Sequence, residues 1–328
     1  MLCRVADSLF WMSRYIERAE NTVRLVDVTL KSLLESANTS DKQSYKHWLP
    51  ILETLLDKEL FEKLYPEKTS NNVTFFLTFC KQNPSSVVSC ISHARENARM
   101  VRDQISVEMW ETINKLYLYL KETDHDKVCA DLNFDFFQKI KEYTLLFQGI
   151  KEVTFTHKLG YEFLTCGYYL ERADKTCRIL DTKRFMNKRN PKGDHALDGA
   201  QWSAILKASS AHEAYFQEYV DRDSPSSIVK FLLLSRHFPR SVIFCVTKLQ
   251  SAIHAISGCP LSHYSNETER QIGILISELK YIDPDSLDKK TTQKLIKSIE
   301  LQLSKIAIEL SEQYMFSKIS DPSAILRE

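Results

Sequence analysis

The sequence predicts an all-α protein: a bundle of long helices built from two related helical halves. Three observations predict it. The 328 residues include only 7 Gly and 9 Pro, where about 7% Gly, or about 23, is usual, which disfavours sandwiches, propellers and other turn-rich sheets. Apolar residues recur at helical spacing over long stretches. One of those stretches reappears 154 residues further along the chain.

The first element is the clearest. Leu2, Val5, Leu9, Met12, Ile16, Ala19, Val23, Val26, Leu30 and Leu33 follow a 3-4-3-4 spacing, a bundle-type seam that should stop near Ala37–Asp41. Asn83 as N-cap and Pro84 at the first helical position predict a second long helix. Its seam runs Val87, Ile91, Ala94, Ala98, Val101, Ile105, Met109, Ile113, Leu116 and Leu120, up to the polar Lys121–Lys127. A third seam, Leu159, Phe163, Cys166, Leu170, Ala173, Cys177 and Leu180, leads to the polar stretch Asn187–Gly199. Residues 188–199 are therefore read as a linker or loop between a first portion (1–187) and a second (200–328) that packs on it as one continuous domain. Helices are expected at 201–220, from Ser224-Pro225 to a break at Pro239, and at 240–257, 266–281 and 289–318.

Bulk properties exclude several functions. The scarce glycines include no G-x-G-x-x-G and no G-x-x-x-x-G-K-[ST], the loops that bring backbone N–H groups close to phosphate. Basic residues number 44 and acidic residues 43, so no bulk field draws the protein to nucleic acid or a membrane. Eight cysteines without a C-x-x-C read as reduced thiols, Cys166 and Cys177 as core. The opening MLCRVADSLFWMSR lacks the basic-then-apolar order of a signal peptide, and no run approaches 18 apolar residues. A cytoplasmic location is expected. No His or Cys pair has zinc-ligand spacing, so neither a metal nor another cofactor is expected.

The repeat carries the candidate chemistry. Tyr15-Ile-Glu-Arg-Ala-Glu-Asn-Thr-Val-Arg-Leu-Val-Asp27 returns as Tyr169-Leu-Glu-Arg-Ala-Asp-Lys-Thr-Cys-Arg-Ile-Leu-Asp181, with seven of 13 positions identical. Glu17, Glu20, Arg24 and Asp27 form one stripe about 100° from the apolar seam. Glu171, Asp174, Arg178 and Asp181 repeat it. In each copy the stripe is apolar or small for several turns before it becomes charged (Gly160 and Gly167 precede Glu171), which points to a partly enclosed face. Arg95, Arg99 and Arg102 form a basic stripe on the middle helix that could face the acidic ones. Three readings stay open: a solvated ladder of i,i+3 and i,i+4 pairs, a buried network that fixes helix register, and a cleft in which Glu17 and Glu171 act as acid and base while arginines hold a carboxylate. A carboxylate beside several Arg has a lowered pKa and makes a poor base, which favours anion binding. Arg236 and Arg240 flank the break at Pro239, and an anion site is one reading of that pair.

The runs RVADSLFWMSRYIERAENTVRLVDV (4–28), ARENARMVRDQISVEMWETIN (94–114), GYYLERADKTCRILDTK (167–183) and FLLLSRHFPRSV (231–242) together resemble the bacterial alpha-E domain family. The resemblance covers the chain to about residue 260. It implies an all-helical cytoplasmic protein, encoded beside or fused to a circularly permuted ATP-grasp protein, with transglutaminase-like proteins and proteasome-like peptidases also nearby. By the same resemblance, the Glu-Arg motifs fall on Glu17, Arg18, Glu20, Asn21, Arg24 and Asp27, and on Glu171, Arg172, Asp174, Arg178 and Asp181. The middle motif falls on Arg95, Glu96, Asn97, Arg99, Arg102 and Asp103, and a Pro-Arg-Ser motif on Pro239, Arg240 and Ser241. One segment departs: where the family shows an acidic pair before the second Glu-Arg helix, this chain has Lys158 and Leu159. The function so implied is an accessory or substrate-binding component of an ATP-grasp-dependent peptide or amide ligation or modification system. The alternatives are a stand-alone enzyme for acyl or amide chemistry in a Glu/Arg-lined cleft, and a non-catalytic bundle with a buried ion network.

Overall fold

The computed structural model describes residues 1–35, 41–130, 133–189, 195–219, 224–284, 287 and 289–315. Among them there are fifteen α-helices and no strand. In chain order these are α1 (Cys3–Glu35), α2 (Asp41–Thr54), α3 (Lys58–Leu64), α4 (Ser70–Thr78), α5 (Val87–Met100), α6 (Val107–Glu122), α7 (His125–Ala130) and α8 (Phe134–Thr154). They continue with α9 (Leu159–Arg189), α10 (His195–Ala208), α11 (His212–Glu218), α12 (Pro225–Leu234), α13 (Val242–Ser257), α14 (Glu267–Lys280) and α15 (Lys289–Tyr314). The described chain divides into two compact units, one comprising Trp11–Thr156 and the other Met1–Phe10 with the described residues from His157 to Met315. The stretch 188–199 lies within the second unit; residues 190–194 of it, and most of the expected stop of the first helix at 37–41, fall outside the described residues.

In the unit of Trp11–Thr156, α5 packs on α6, α6 on α8, and α4 on α2 and α7. The α1 seam from Met12 through Leu30 is buried throughout. The single long helix expected from Val87 to Leu120 is a helical hairpin instead. Val101 leaves the helix at φ −118°, ψ 29°, and Ser106 starts the next one, its Oγ accepting the Met109 N–H at 3.2 Å. The start also differs: Ser86, not Asn83, caps α5, accepting the Ser89 N–H, while Asn83 Oδ1 accepts from Ser85 in the turn before it. The apolar spacing survives the break because both helices turn the same seam inward, and every seam residue from Val87 to Leu120 is buried.

In the second unit, α9 packs on α13 and α15, and α14 on the same two helices. The predicted α9 seam from Phe163 to Leu180 is buried in full, Cys166 and Cys177 included. All eight cysteines are free thiols. Gly258 ends α13 at φ 77°, a left-handed conformation that a side chain disfavours. No helix among the described residues is long and apolar enough to cross a membrane.

The offset of the sequence repeat recurs in local structure. Helices α3 and α11 are each seven residues long and lie 154 residues apart. Each follows a residue with positive φ, Leu56 (62°) and Ser210 (50°). Each buries one ring completely, Phe61 and Tyr215. Phe61 stacks on Tyr65 at 5.2 Å and meets Phe76 edge-on at 5.3 Å. Tyr215 stacks on Tyr219 at 5.0 Å and meets Phe231 edge-on at 5.6 Å. Ser86 caps α5 as Ser241 caps α13, and the thiols of Cys90 and Cys245 each turn to a proline carbonyl, of Pro84 and Pro239.

Candidate functional site

Helix α1 buries the first Glu-Arg motif. Glu17, Arg18, Glu20, Asn21 and Asp27 are each 1–3% exposed, and Arg24 is half-buried and ion-paired through Nε to Glu20 one turn earlier. Asn21 donates Nδ2 to the Glu17 carbonyl (2.7 Å) and carboxylate (3.0 Å). Asp27 Oδ2 accepts from Lys31 at 3.0 Å and from Lys141 of α8 at 2.8 Å. The last bond ties α1 to α8 in a dry setting, where an ion pair is screened little. Tyr15 packs on His93 of α5 at 5.1 Å, with the Arg18 guanidinium over the Tyr15 ring. Burial and then the charge of Arg18 lower the His93 pKa.

Helix α9 repeats the pattern at the same repeat positions. Arg178 Nε donates to Asp174 Oδ2 at 2.8 Å, as Arg24 does to Glu20. Lys175 Nζ lies 3.5 Å from Glu171 and 3.7 Å from Asp174. All four side chains are buried, with Arg172 and Thr176 beside them. Burial works against the Arg178 charge, but Asp174, then Glu300 and Glu171, more than offset it and raise its pKa. Glu300 of α15 completes the network from across the helix pair. Its pKa is raised to about 7, by burial first and then by Asp174 and Asp181, against the opposing pull of Arg178 and Lys175. The enclosure expected from the stripe pattern is therefore present in both copies. Glu300 and Lys141 were not legible beforehand, because each belongs to a helix far away in sequence and nothing in its own spacing sets it apart.

The middle stripe has a different environment. Arg95 Nε donates to Asn114 at 2.8 Å, and its guanidinium lies 4.6 Å over Tyr117 and 5.6 Å over Trp110. Arg102 covers the same Trp110 at 5.7 Å. Arg99 pairs with Glu96 at 2.7 Å, both well exposed. Asn97 donates to the His93 carbonyl, and Asp103 accepts from Gln104. These groups clamp the α5–α6 hairpin and line its solvent side.

Pro239-Arg240-Ser241 is a helix start. Ser241 caps α13, accepting the Phe244 N–H at 3.2 Å and donating to the Ser235 carbonyl that ends α12. Arg240 is buried, and its carbonyl accepts the Thr176 hydroxyl of α9 at 2.8 Å. Beside this start opens a cleft of about 400 Å³ lined by Arg236, Ile243, Phe244, Thr247, Lys248 and Lys280. Among the described residues, three cations and no carboxylate line it. Ile243 and Phe244 lie in the first turn of α13, where the helix dipole is positive. Lys248 Nζ sits 5.6 Å over the Phe244 ring. A carboxylate or phosphate with an apolar body fits this chemistry, since an anion relieves repulsion among the three cations. Of the two arginines flanking Pro239, Arg236 lines the cleft and Arg240 anchors the start of α13.

A family described as a predicted alpha-helical domain with a conserved ER motif, Alpha-E, matches residues 1–315. An uncharacterized protein of Mycobacterium bovis is 22% identical over 311 residues, covering 89% of this chain and 34% of that protein. An uncharacterized protein of Mycobacterium tuberculosis gives the same identity and coverage. The chain thus spans about a third of the length of the curated relatives it matches. No solved structure matches it significantly. The chain belongs to the Alpha-E family.

Proposed function

From that membership, we propose that the protein is an accessory, substrate-binding component of an ATP-grasp-dependent system that ligates or modifies peptide or amide bonds. In this reading a circularly permuted ATP-grasp protein activates the carboxylate, and a transglutaminase-like protein is a further partner. The observation that carries this reading is the cleft of Arg236, Lys248 and Lys280 around Phe244. It offers positive charge and an aromatic wall to an anionic substrate, and its lining has no nucleophile–base pair. In this reading nucleotide handling belongs to the partner. The buried Glu-Arg stripes then hold helix positions, through pairs such as Asp174 with Arg178 and Asp27 with Lys141.

The test is reconstitution with a circularly permuted ATP-grasp protein from the same organism. Arg236→Glu with Lys248→Glu should raise the apparent KM for the carboxylate substrate at least about tenfold, since each lost charge-assisted contact contributes about 1.5–3 kcal/mol, and should leave the melting temperature unchanged. Unchanged KM would remove the cleft from the reading. Failure of the two proteins to associate, with equal turnover in the absence of this chain, would remove the accessory role.

One observation favours a second reading, a stand-alone acid/base enzyme. Glu300, held near neutrality and only partly exposed, has the pKa of a general acid or base at pH 7. That reading predicts that Glu300→Gln abolishes turnover with no change in substrate affinity.

A further inference from the structure

Outside these sites, the loop joining α13 to α14 gathers three different metal-ligand types. A nitrogen of His254, the thiol of Cys259 and a carboxylate oxygen of Glu269 all lie within 4.8 Å of one another. Zinc bond lengths of about 2.0–2.3 Å place tetrahedral ligands about 3.5 Å apart, so small side-chain rotations close the set.

Local structure explains why they meet. The left-handed Gly258 turns the chain back over the last turn of α13, its N–H bonded to the His254 carbonyl at 2.9 Å. The next residue, Cys259, presents its own carbonyl to His254 Nδ1 at 3.0 Å. A carbonyl only accepts, so Nδ1 carries the proton and Nε2 keeps the lone pair. A backbone carbonyl on the far nitrogen is the usual way a ligating histidine is oriented. Glu269 is held from the other side by the Ser265 hydroxyl at 3.0 Å, by the Ser265 N–H and by Asn266 Nδ2 at 2.7 Å. The cluster opens onto a cleft of about 410 Å³ lined by His254, Glu269, His263 and Tyr264 among others, which leaves a fourth position for water or an incoming group.

Helix capping accounts for only part of this. Asn266 and Glu269 form a capping pair at the start of α14, Asn266 Oδ1 accepting the Glu269 N–H at 2.9 Å. Capping requires neither a thiol nor an imidazole. The equivalent connection between α5 and α6 spans 101–106, against 258–266 here, and the longer loop supplies Cys259. Spacings of five and ten residues match no zinc-finger pattern, so the sequence alone carries no such signal.

We propose that His254, Cys259 and Glu269 bind a borderline divalent cation, Zn²⁺, with an open coordination position facing the cleft. A mixed N/S/O donor set suits zinc over the hard cations, which take oxygen ligands. The site is independent of the amide-ligation reading and stands or falls separately.

The experiment uses the full-length protein, reduced and stripped with a chelator, titrated with Co²⁺ and then competed with Zn²⁺. The wild type should take up one equivalent with a thiolate-to-cobalt charge-transfer band that Zn²⁺ abolishes. Cys259→Ser should lose that band and weaken Zn²⁺ at least about tenfold, and His254→Gln should weaken it similarly. Cys3→Ser, at the one exposed thiol, should change nothing. Cys259 is half-exposed in a loop, so its variant decides the matter if substituting the buried histidine impairs folding. No charge-transfer band in the wild type, or a band that persists in Cys259→Ser, overturns the proposal.

Discussion

At the scale of single residues, similar ion pairs differ in importance because their surroundings differ. Asp27 is buried and takes Lys141 from α8, whereas Arg99 and Glu96 pair in open solvent. Removing one partner of a buried pair leaves an uncompensated charge and costs about 3–5 kcal/mol; an exposed pair contributes about 0–1 kcal/mol. Chemical denaturation should therefore show Asp27→Asn losing about 3 kcal/mol while Arg99→Gln stays within about 0.5 kcal/mol of wild type. Equal effects would mean that the α1–α8 link is solvated. Glu300 gives a pH signature. Its folded pKa is raised from 4.5 to about 7, so the folded state binds the extra proton. The resulting stabilisation is complete below about pH 4.5 and is lost as pH rises through about 7. Glu300→Gln should thus match wild type near pH 4.5 and melt higher at pH 8, by about 2–4 °C for each kcal/mol relieved. A difference that does not vary with pH would contradict the burial of Glu300 and its placement beside Asp174 and Asp181.

At the scale of elements, caps and turns decide what the apolar pattern leaves open. The seams from Met12 to Leu30 and from Phe163 to Leu180 were fully legible, because a 3-4 spacing specifies one buried stripe. The seam from Val87 to Leu120 was equally regular, yet the chain breaks at 101–106. Periodicity reports which face is buried, not whether the helix is continuous. Helices α2, α3, α4, α7 and α8 escaped the reading; around α3 and α4 the core is aromatic, with Phe61 stacked on Tyr65 and Phe76 edge-on to both, and shows no long 3-4 seam. Ser241 joins two elements, capping α13 while donating to the end of α12. Ser241→Ala should cost about 1–2 kcal/mol, above an ordinary cap loss, since the Ser235 carbonyl also loses its donor. Thermal melts that show no loss would mean that the α12–α13 corner is held by other contacts.

At the scale of the whole molecule, the sequence repeat was visible at Tyr15–Asp27 and Tyr169–Asp181. Local structure recurs as well: α3 in α11, 154 residues on, and the Pro84–Cys90 start in Pro239–Cys245, 155 residues on. That wider repetition was hard to see in sequence because it preserves geometry more than identity: Phe61 answers to Tyr215, and Leu56 to Ser210. Arg236, Lys248 and Lys280 come from three separate segments, and no sequence spacing joins them. Because the carboxylates of Glu17 and Glu171 are enclosed with Asn21 and Lys175, the accessory reading assigns them no step in turnover. Glu17→Gln with Glu171→Gln should leave substrate KM and turnover of the reconstituted system unchanged in whatever fraction folds.

The most direct test of the substrate-binding role is the rate of amide formation by the ATP-grasp protein with and without this chain, compared with the Arg236→Glu, Lys248→Glu variant. The account predicts that product formation depends on the chain and falls at least about tenfold with the variant at subsaturating substrate. Equal rates with wild type, with variant and with the chain omitted would contradict it.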